Sequence, residues 1–191
     1  MLQGEYHSAV VMRTVLPGFS PIPIGWGTFE SDEDLSFFLQ AFHEMDHEIP
    51  DMDLLTKMLA EMHLKGAERF EELTEGQRPE GKKYGFHVTS HNGKLGQDNT
   101  WATTWEEYFV QNMRTMLEYD YKEGGDRPQE MEELLEPLFK KAIPRLLRPM
   151  EMEGRKVKPC LIHGDLWYRN CSTDLDRDVP IVYDACCFWG S

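Results

Sequence analysis

No run of apolar residues in this chain of 191 approaches the ~18–20 that cross a bilayer as a helix. Basic charge is also scarce. Twenty Lys and Arg stand against 34 Asp and Glu, for a net charge of −14, and a polyphosphate surface repels such a chain. Nucleic acid and anionic membranes are therefore not expected partners. Cysteine is sparse, and Cys160, Cys171, Cys186 and Cys187 all lie beyond residue 159. The adjacent pair could bridge only with severe strain, and no C-x-x-C spacing offers a zinc site, so four reduced and mostly buried thiols are expected. The opening MLQGEYHSAV has neither the basic start nor the apolar middle of a signal peptide, which predicts a cytoplasmic chain. Internal repeats and low-complexity linkers are missing as well.

What is present has the texture of a globular protein, 40% hydrophobic and 28% charged. Residues 4–15 suit a helix stopped by Leu16-Pro17-Gly18. Ile22–Phe29 and Leu35–Phe42 read as two strands joined by an acidic turn. A longer helix should start at Asp51 or Asp53, present Leu54, Leu55, Met58, Leu59 and Met62 on one face, and stop at Gly66. The Glu68–Glu80 stretch reads as too polar to bury. Thr103 and Thr104, followed by Glu106 and Glu107, offer capping boxes to a helix with Trp105, Phe109, Met113, Met116 and Leu117 on one side, ended by Gly124-Gly125. The next helix should turn Met131, Leu134, Leu135, Leu138 and Phe139 inward and be kinked or split by Pro137 and Pro144. Short apolar runs, Pro159–Ile162 and Pro180–Tyr183, then each deliver a polar cluster from a strand end.

Those clusters carry the chemistry. LIHGDLWYRN (161–170) and PIVYDACCFWG (180–190) place Asp165, Asn170 five positions later, and Asp184 fourteen beyond that. Any one of them alone would be an ordinary turn residue. Together they are what phosphoryl transfer from ATP requires: a carboxylate to receive the substrate's hydroxyl proton, and an amide oxygen and second carboxylate to hold magnesium on the phosphates.

HGDxxxxN with a later Asp resembles the aminoglycoside/choline phosphotransferase side of the protein-kinase superfold. More of the chain resembles one branch, the fructosamine (ketosamine) kinases. These share HGDLW followed by Asn, PIVYD with FWG, and the middle segment YGFHVTSHNGKLGQDNTWATTWEEYF (84–109), in which Gly85, Phe86, Gly93, Gln97, Asn99, Trp101 and Trp105 hold the family's spacings. The resemblance implies a two-lobed kinase-like α/β (α+β) fold, with a partial small lobe and hinge over 1–42 and a partial large lobe over 43–191. It implies Asp165 as catalytic base and Asn170 and Asp184 as Mg2+ ligands. Glu5 would be the partner of a phosphate-holding lysine, and Gln40, Ala41 and Phe42 the backbone contact for the adenine of ATP. Trp167 reads either as a platform for a sugar-like substrate or as a core tryptophan.

The implied reaction is ATP-dependent phosphorylation of a ketosamine, a sugar-modified protein lysine or small amine. Where the family begins with a phosphate-covering loop and a lysine strand, this chain opens at the helix of Glu5, and it closes just after the metal aspartate. The expectation is a chain truncated at both ends with impaired ATP binding. Ala185 also stands where the family has proline. Two alternatives stay open: a choline- or aminoglycoside-type phosphotransferase, and a non-catalytic binding module that keeps the pocket without turnover.

Overall fold

The computed structural model describes residues 1–191 except His47 and Glu75. Helix α1 (Leu2–Val15) is followed by the strands β1 (Pro23–Phe29) and β2 (Asp32–Gln40), then by α2 (Met52–Glu71). A miniature hairpin, β3 (His91–Asn92) and β4 (Leu95–Gly96), precedes α3 (Trp105–Gly124). Next come α4 (Gln129–Pro137), a wide turn over Leu138–Ala142, α5 (Ile143–Leu147) and a short tight turn. The last third holds β5 (Cys160–Ile162), β6 (Cys171–Asp174), β7 (Val179–Val182) and β8 (Phe188–Gly190). Strands pair as β1–β2, β3–β4, β5–β8 and β6–β7, all antiparallel. The class is thus mixed α+β without a parallel sheet among the described residues. Among the described residues no helix is long and apolar enough to cross a membrane.

The end of α1 follows the sequence, with Pro17 and Gly18 after it and Gly18 at φ +91, whereas the helix begins at Leu2, ahead of the expected residue 4. The side chain of Asp51 accepts the Leu54 amide at 2.8 Å and caps α2. Gly66 does not stop that helix. A Cβ there would sit 2.8 Å from the Leu161 backbone, so this glycine is the point where α2 crosses β5. The loss of helix propensity, roughly 1 kcal/mol relative to Ala, is offset by that close approach. Because α2 continues to Glu71, it buries Phe70 against Trp189 with ring centroids 5.4 Å apart. The Glu68–Glu80 stretch is therefore not wholly exposed, although Glu75 within it lies outside the described residues.

On α3 the cap is Thr104, whose hydroxyl accepts the Glu107 amide at 3.2 Å, while the Glu107 carboxylate accepts Thr103 N–H at 2.9 Å. The residue α3 buries is Tyr108, not the Phe109–Met113–Leu117 side. Met131 and Leu134 of α4 are likewise exposed, at 36% and 61%, and with Met113 and Leu117 they line an open groove instead of a core. Pro137 and Pro144 do split the helical run: the wide turn between α4 and α5 absorbs the proline that cannot donate within a regular helix. The main core gathers Met12, Leu16 and Phe19 from the first segment and Leu55, Met62 and Phe70 from α2. It closes on Leu161, Val182 and Trp189 from the last third.

Candidate active site

Strand β5 ends in His163-Gly164-Asp165, and the loop it opens is set by three constraints. Gly164 has φ +87, and a Cβ there would lie 2.2 Å from the Cys186 carbonyl oxygen, so both conformation and space demand glycine. His163 is buried, and burial pushes its imidazole down to about 4, with the Tyr183 carbonyl opposing. The ring is therefore neutral: Nε2–H donates to the Tyr183 oxygen at 3.1 Å, and Nδ1 accepts Asp165 N–H at 3.3 Å. The His163 carbonyl in turn accepts the Cys186 amide at 2.9 Å. The segment bearing Asp165 is thus bonded directly to the one bearing Asp184.

Asn170 closes the loop. Its Nδ2 donates to the Asp165 carbonyl at 2.8 Å and to Asp165 Oδ2 at 3.1 Å. With the amide nitrogen so used, Oδ1 is turned away from Asp165 and left as an oxygen donor for a cation. The Asn170 carbonyl accepts the Tyr183 amide at 3.1 Å, one residue before Asp184. Asp184 itself adopts φ +55, a left-handed conformation uncommon outside glycine and a frequent mark of functional sites.

Glu5, half-buried on α1, faces Asp184. Burial first, then the charge of Asp184 and a hydrogen bond with it, push the Glu5 carboxyl up to about 7. Burial also raises Asp184; the Glu5 hydrogen bond opposes this and the Asp165 charge adds to it. Among the described residues no ion pair engages Glu5, and the group beside it is the carboxyl of Asp184. Asp184 therefore feels two other carboxyl groups, Glu5 and Asp165, and a bound cation would relieve that charge. Among the described residues no three His, Cys, Asp or Glu side chains converge on one point.

Of the remaining sequence candidates, Trp167 belongs to the same loop, its carbonyl accepting the Asn170 amide at 2.9 Å. Trp167 is 46% exposed, which excludes the core role; its ring meets Tyr168 edge-on at 5.0 Å, and Arg169 stacks over it at 5.4 Å. Gln40 ends β2, Ala41 donates its amide to the Ile22 carbonyl at 2.8 Å, and Phe42 is 85% exposed.

Sequence reasoning missed the supports. Ser8 on α1 accepts the Cys187 amide at 2.9 Å, Gln97 Nε2 donates to Cys186 Sγ at 3.2 Å, and Ser90 donates to the Cys187 carbonyl at 3.3 Å. Gly85 and Trp189 exchange backbone bonds at 3.1 and 2.9 Å. Asn99 accepts the Tyr108 hydroxyl and donates to Val88 and Ser90. The 84–109 segment is therefore a clamp on the residues that follow Asp184. Its fixed Gly, Gln and Asn spacings were the available signal.

A family model described as fructosamine kinase matches residues 1–191. The protein-ribulosamine 3-kinase, chloroplastic, of Oryza sativa subsp. indica is 31% identical over the whole chain, which covers 49% of that protein. The ketosamine-3-kinase of Mus musculus is also 31% identical over the whole chain, which covers 62% of it. The chain thus spans about half the length of the rice relative. Crystal structures of two bacterial proteins provisionally named fructosamine-3-kinases, from Thermobifida fusca and Haemophilus somnus, share its fold. Their TM-scores are 0.70 and 0.66 at 22% and 21% identity, over the whole chain and 56% of each neighbour. With its HGDxxxxN loop, second aspartate and 84–109 clamp each in place, the chain belongs to the fructosamine kinase family.

Proposed function

We propose that the protein bearing this chain is an ATP-dependent phosphotransferase that phosphorylates a sugar hydroxyl of ketosamines on protein lysines or small amines. The observation that carries the reading is the bonding of Asp165 to Asn170 on one loop, with Asp184 on the adjoining segment and Glu5 against it. Asp165 accepts the substrate's hydroxyl proton, and the Asn170 amide holds its carboxylate in place while that proton moves. Asn170 Oδ1 and the Asp184 carboxylate are the residues that would hold Mg2+, which when bound neutralises charge developing on the phosphates. Glu5 is the partner for a phosphate-holding lysine. Gln40, Ala41 and Phe42 face the adenine through their backbone, and Trp167 offers the sugar a flat surface. In this reading residues 1–42 belong to a small lobe with its hinge, residues 43–191 belong to a large lobe, and the protein is cytoplasmic.

The test is phosphate transfer from Mg-ATP to a fructosamine or ribulosamine by the protein and its Asp165→Asn variant. Transfer that the variant loses supports the reading. Transfer to choline or an aminoglycoside but no ketosamine keeps the reaction and overturns the substrate class. Mg-ATP binding without any transfer makes the chain a binding module.

A further inference from the structure

Directly after Phe42 the chain is tied down by a buried carboxylate that the chemistry above does not use. Asp174, 1% exposed at the end of β6, divides its two oxygens between two tasks. Oδ1 accepts the Asp176 and Arg177 amides at 3.0 and 3.2 Å, which is all the β6–β7 turn needs. Oδ2 instead receives His43 Nδ1 at 2.6 Å and Arg177 Nε at 2.7 Å. Arg177 also donates from Nη1 to the Gly18 carbonyl at 2.9 Å. One carboxylate therefore joins the linker after β2, the β6–β7 turn and the turn that ends the helix of Glu5. Backbone bonds follow the same line: Leu175 N–H to Glu44 at 2.9 Å, Asp46 N–H to Thr173 at 3.4 Å, and a bridge of Met45 with Asp174. Burying a charge is unfavourable unless its partners are well placed, and a turn alone does not require a second oxygen committed to a residue 131 positions away.

Building on the phosphotransferase reading, we propose that Asp174, acting through His43, is a positioning residue for the nucleotide. It fixes the course of Gln40, Ala41 and Phe42 against the large-lobe strands, and so sets how tightly Mg-ATP is held without taking part in proton or phosphoryl transfer. Arg177 extends the same hold to the end of α1.

Asp174→Asn risks unfolding a fully enclosed site, so the test uses His43, whose side chain is 20% exposed. His43→Leu deletes the donor, and His43→Asn restores one at a similar reach. Amide hydrogen exchange and Mg-ATP affinity by calorimetry are read on the same preparations. In His43→Leu, exchange over residues 41–46 should rise about tenfold while residues 161–170 stay as in the wild type. The dissociation constant for Mg-ATP should rise about tenfold, the loss of one charge-assisted contact. His43→Asn should return both to within about threefold. A linker that keeps its protection in His43→Leu, unchanged nucleotide affinity, or an Asn variant no better than Leu each overturns the inference. If the protein bearing this chain, taken at its full length, fails to bind Mg-ATP at all, the phosphotransferase reading falls and the nucleotide role of Asp174 falls with it. Wild-type binding beside an undisturbed linker in His43→Leu overturns this inference alone.

Discussion

From Cys160 to Gly190 the chain buries Leu161, Ile181, Val182 and Trp189 almost completely, and bonds its loops across two strand pairs. The β1–β2 hairpin does the reverse. Ile24, Leu35, Phe37 and Leu39 alternate along it and remain 40–58% exposed. Both regions are rich in apolar residues, so hydrophobicity alone does not separate them. The difference is what lies against each face: α2 crosses one at Gly66, whereas the hairpin meets α1, with Tyr6 edge-on to Phe38 at 6.0 Å, and leaves those four side chains open. The rigid region carries the candidate chemistry, and the open one delivers the linker that leads to it.

That contrast can be broken most sharply at the reacting carboxylate. Asp165→Asn should lower kcat of the proposed transfer by about 10²–10⁴-fold with little change in melting temperature, because the Asn170 bond to the Asp165 carbonyl survives. Equal loss of stability would show the loop to be structural instead. Next come paired truncations read by denaturant unfolding. Leu161→Ala empties a fully buried site and should cost about 2–5 kcal/mol. Leu39→Ala, on the exposed hairpin, should stay within about 0.5 kcal/mol. Similar values at the two sites would erase the distinction.

The third way to sharpen it is pH. Glu5 in the folded chain holds its proton up to about pH 7, whereas its ordinary value is 4.5. Its contribution is therefore fully present below pH 4.5 and is lost as the pH rises through about 7. Glu5→Gln cannot ionise, so melting curves should show the variant gaining on the wild type between pH 5 and pH 8. After screening by solvent the gain is about 1–2 kcal/mol. A difference that is flat with pH would mean that Glu5 does not face Asp184. The smallest effect is at the α3 cap, where Thr104→Ala should cost about 1 kcal/mol by thermal melting.

Local chemistry made most of this legible in the sequence. Asp51, Thr104, Pro17 and Pro137 mark element ends because caps and prolines act within one turn. Gly66 misled because its backbone neighbour, Leu161, is 95 positions away, and nothing in the helix itself shows that strand. Distance also hid β8, which pairs with β5 across the whole candidate catalytic loop, whereas β6 pairs with β7 over a short turn and was missed for its polar sequence, Cys171–Asp174. On α3 and α4 the periodicity was sound, but an apolar face states only what it can bury, not that something covers it. The site's residues were readable as a set. The supporting contacts of His163, Ser8 and Gln97 were not, even where the residue stood in a recognised motif, since each reaches a distant segment: the Tyr183 carbonyl, the Cys187 amide and the Cys186 sulfur.

The tight seat of Gly164 against Cys186 bears on thiol reactivity. All four cysteines are free, yet burial first, and then the Asp165 charge, push the Cys186 thiol up to about 12. At pH 7 about one molecule in 10⁵ then carries the thiolate, the form that attacks alkylating agents. Cys187, wholly enclosed, is raised in the same direction. An alkylating reagent should therefore spare this pair in the native protein and modify it only when β8 lifts from the loop. The labelling rate at neutral pH would then time the opening of the active-site floor, a clock already present in the native chain.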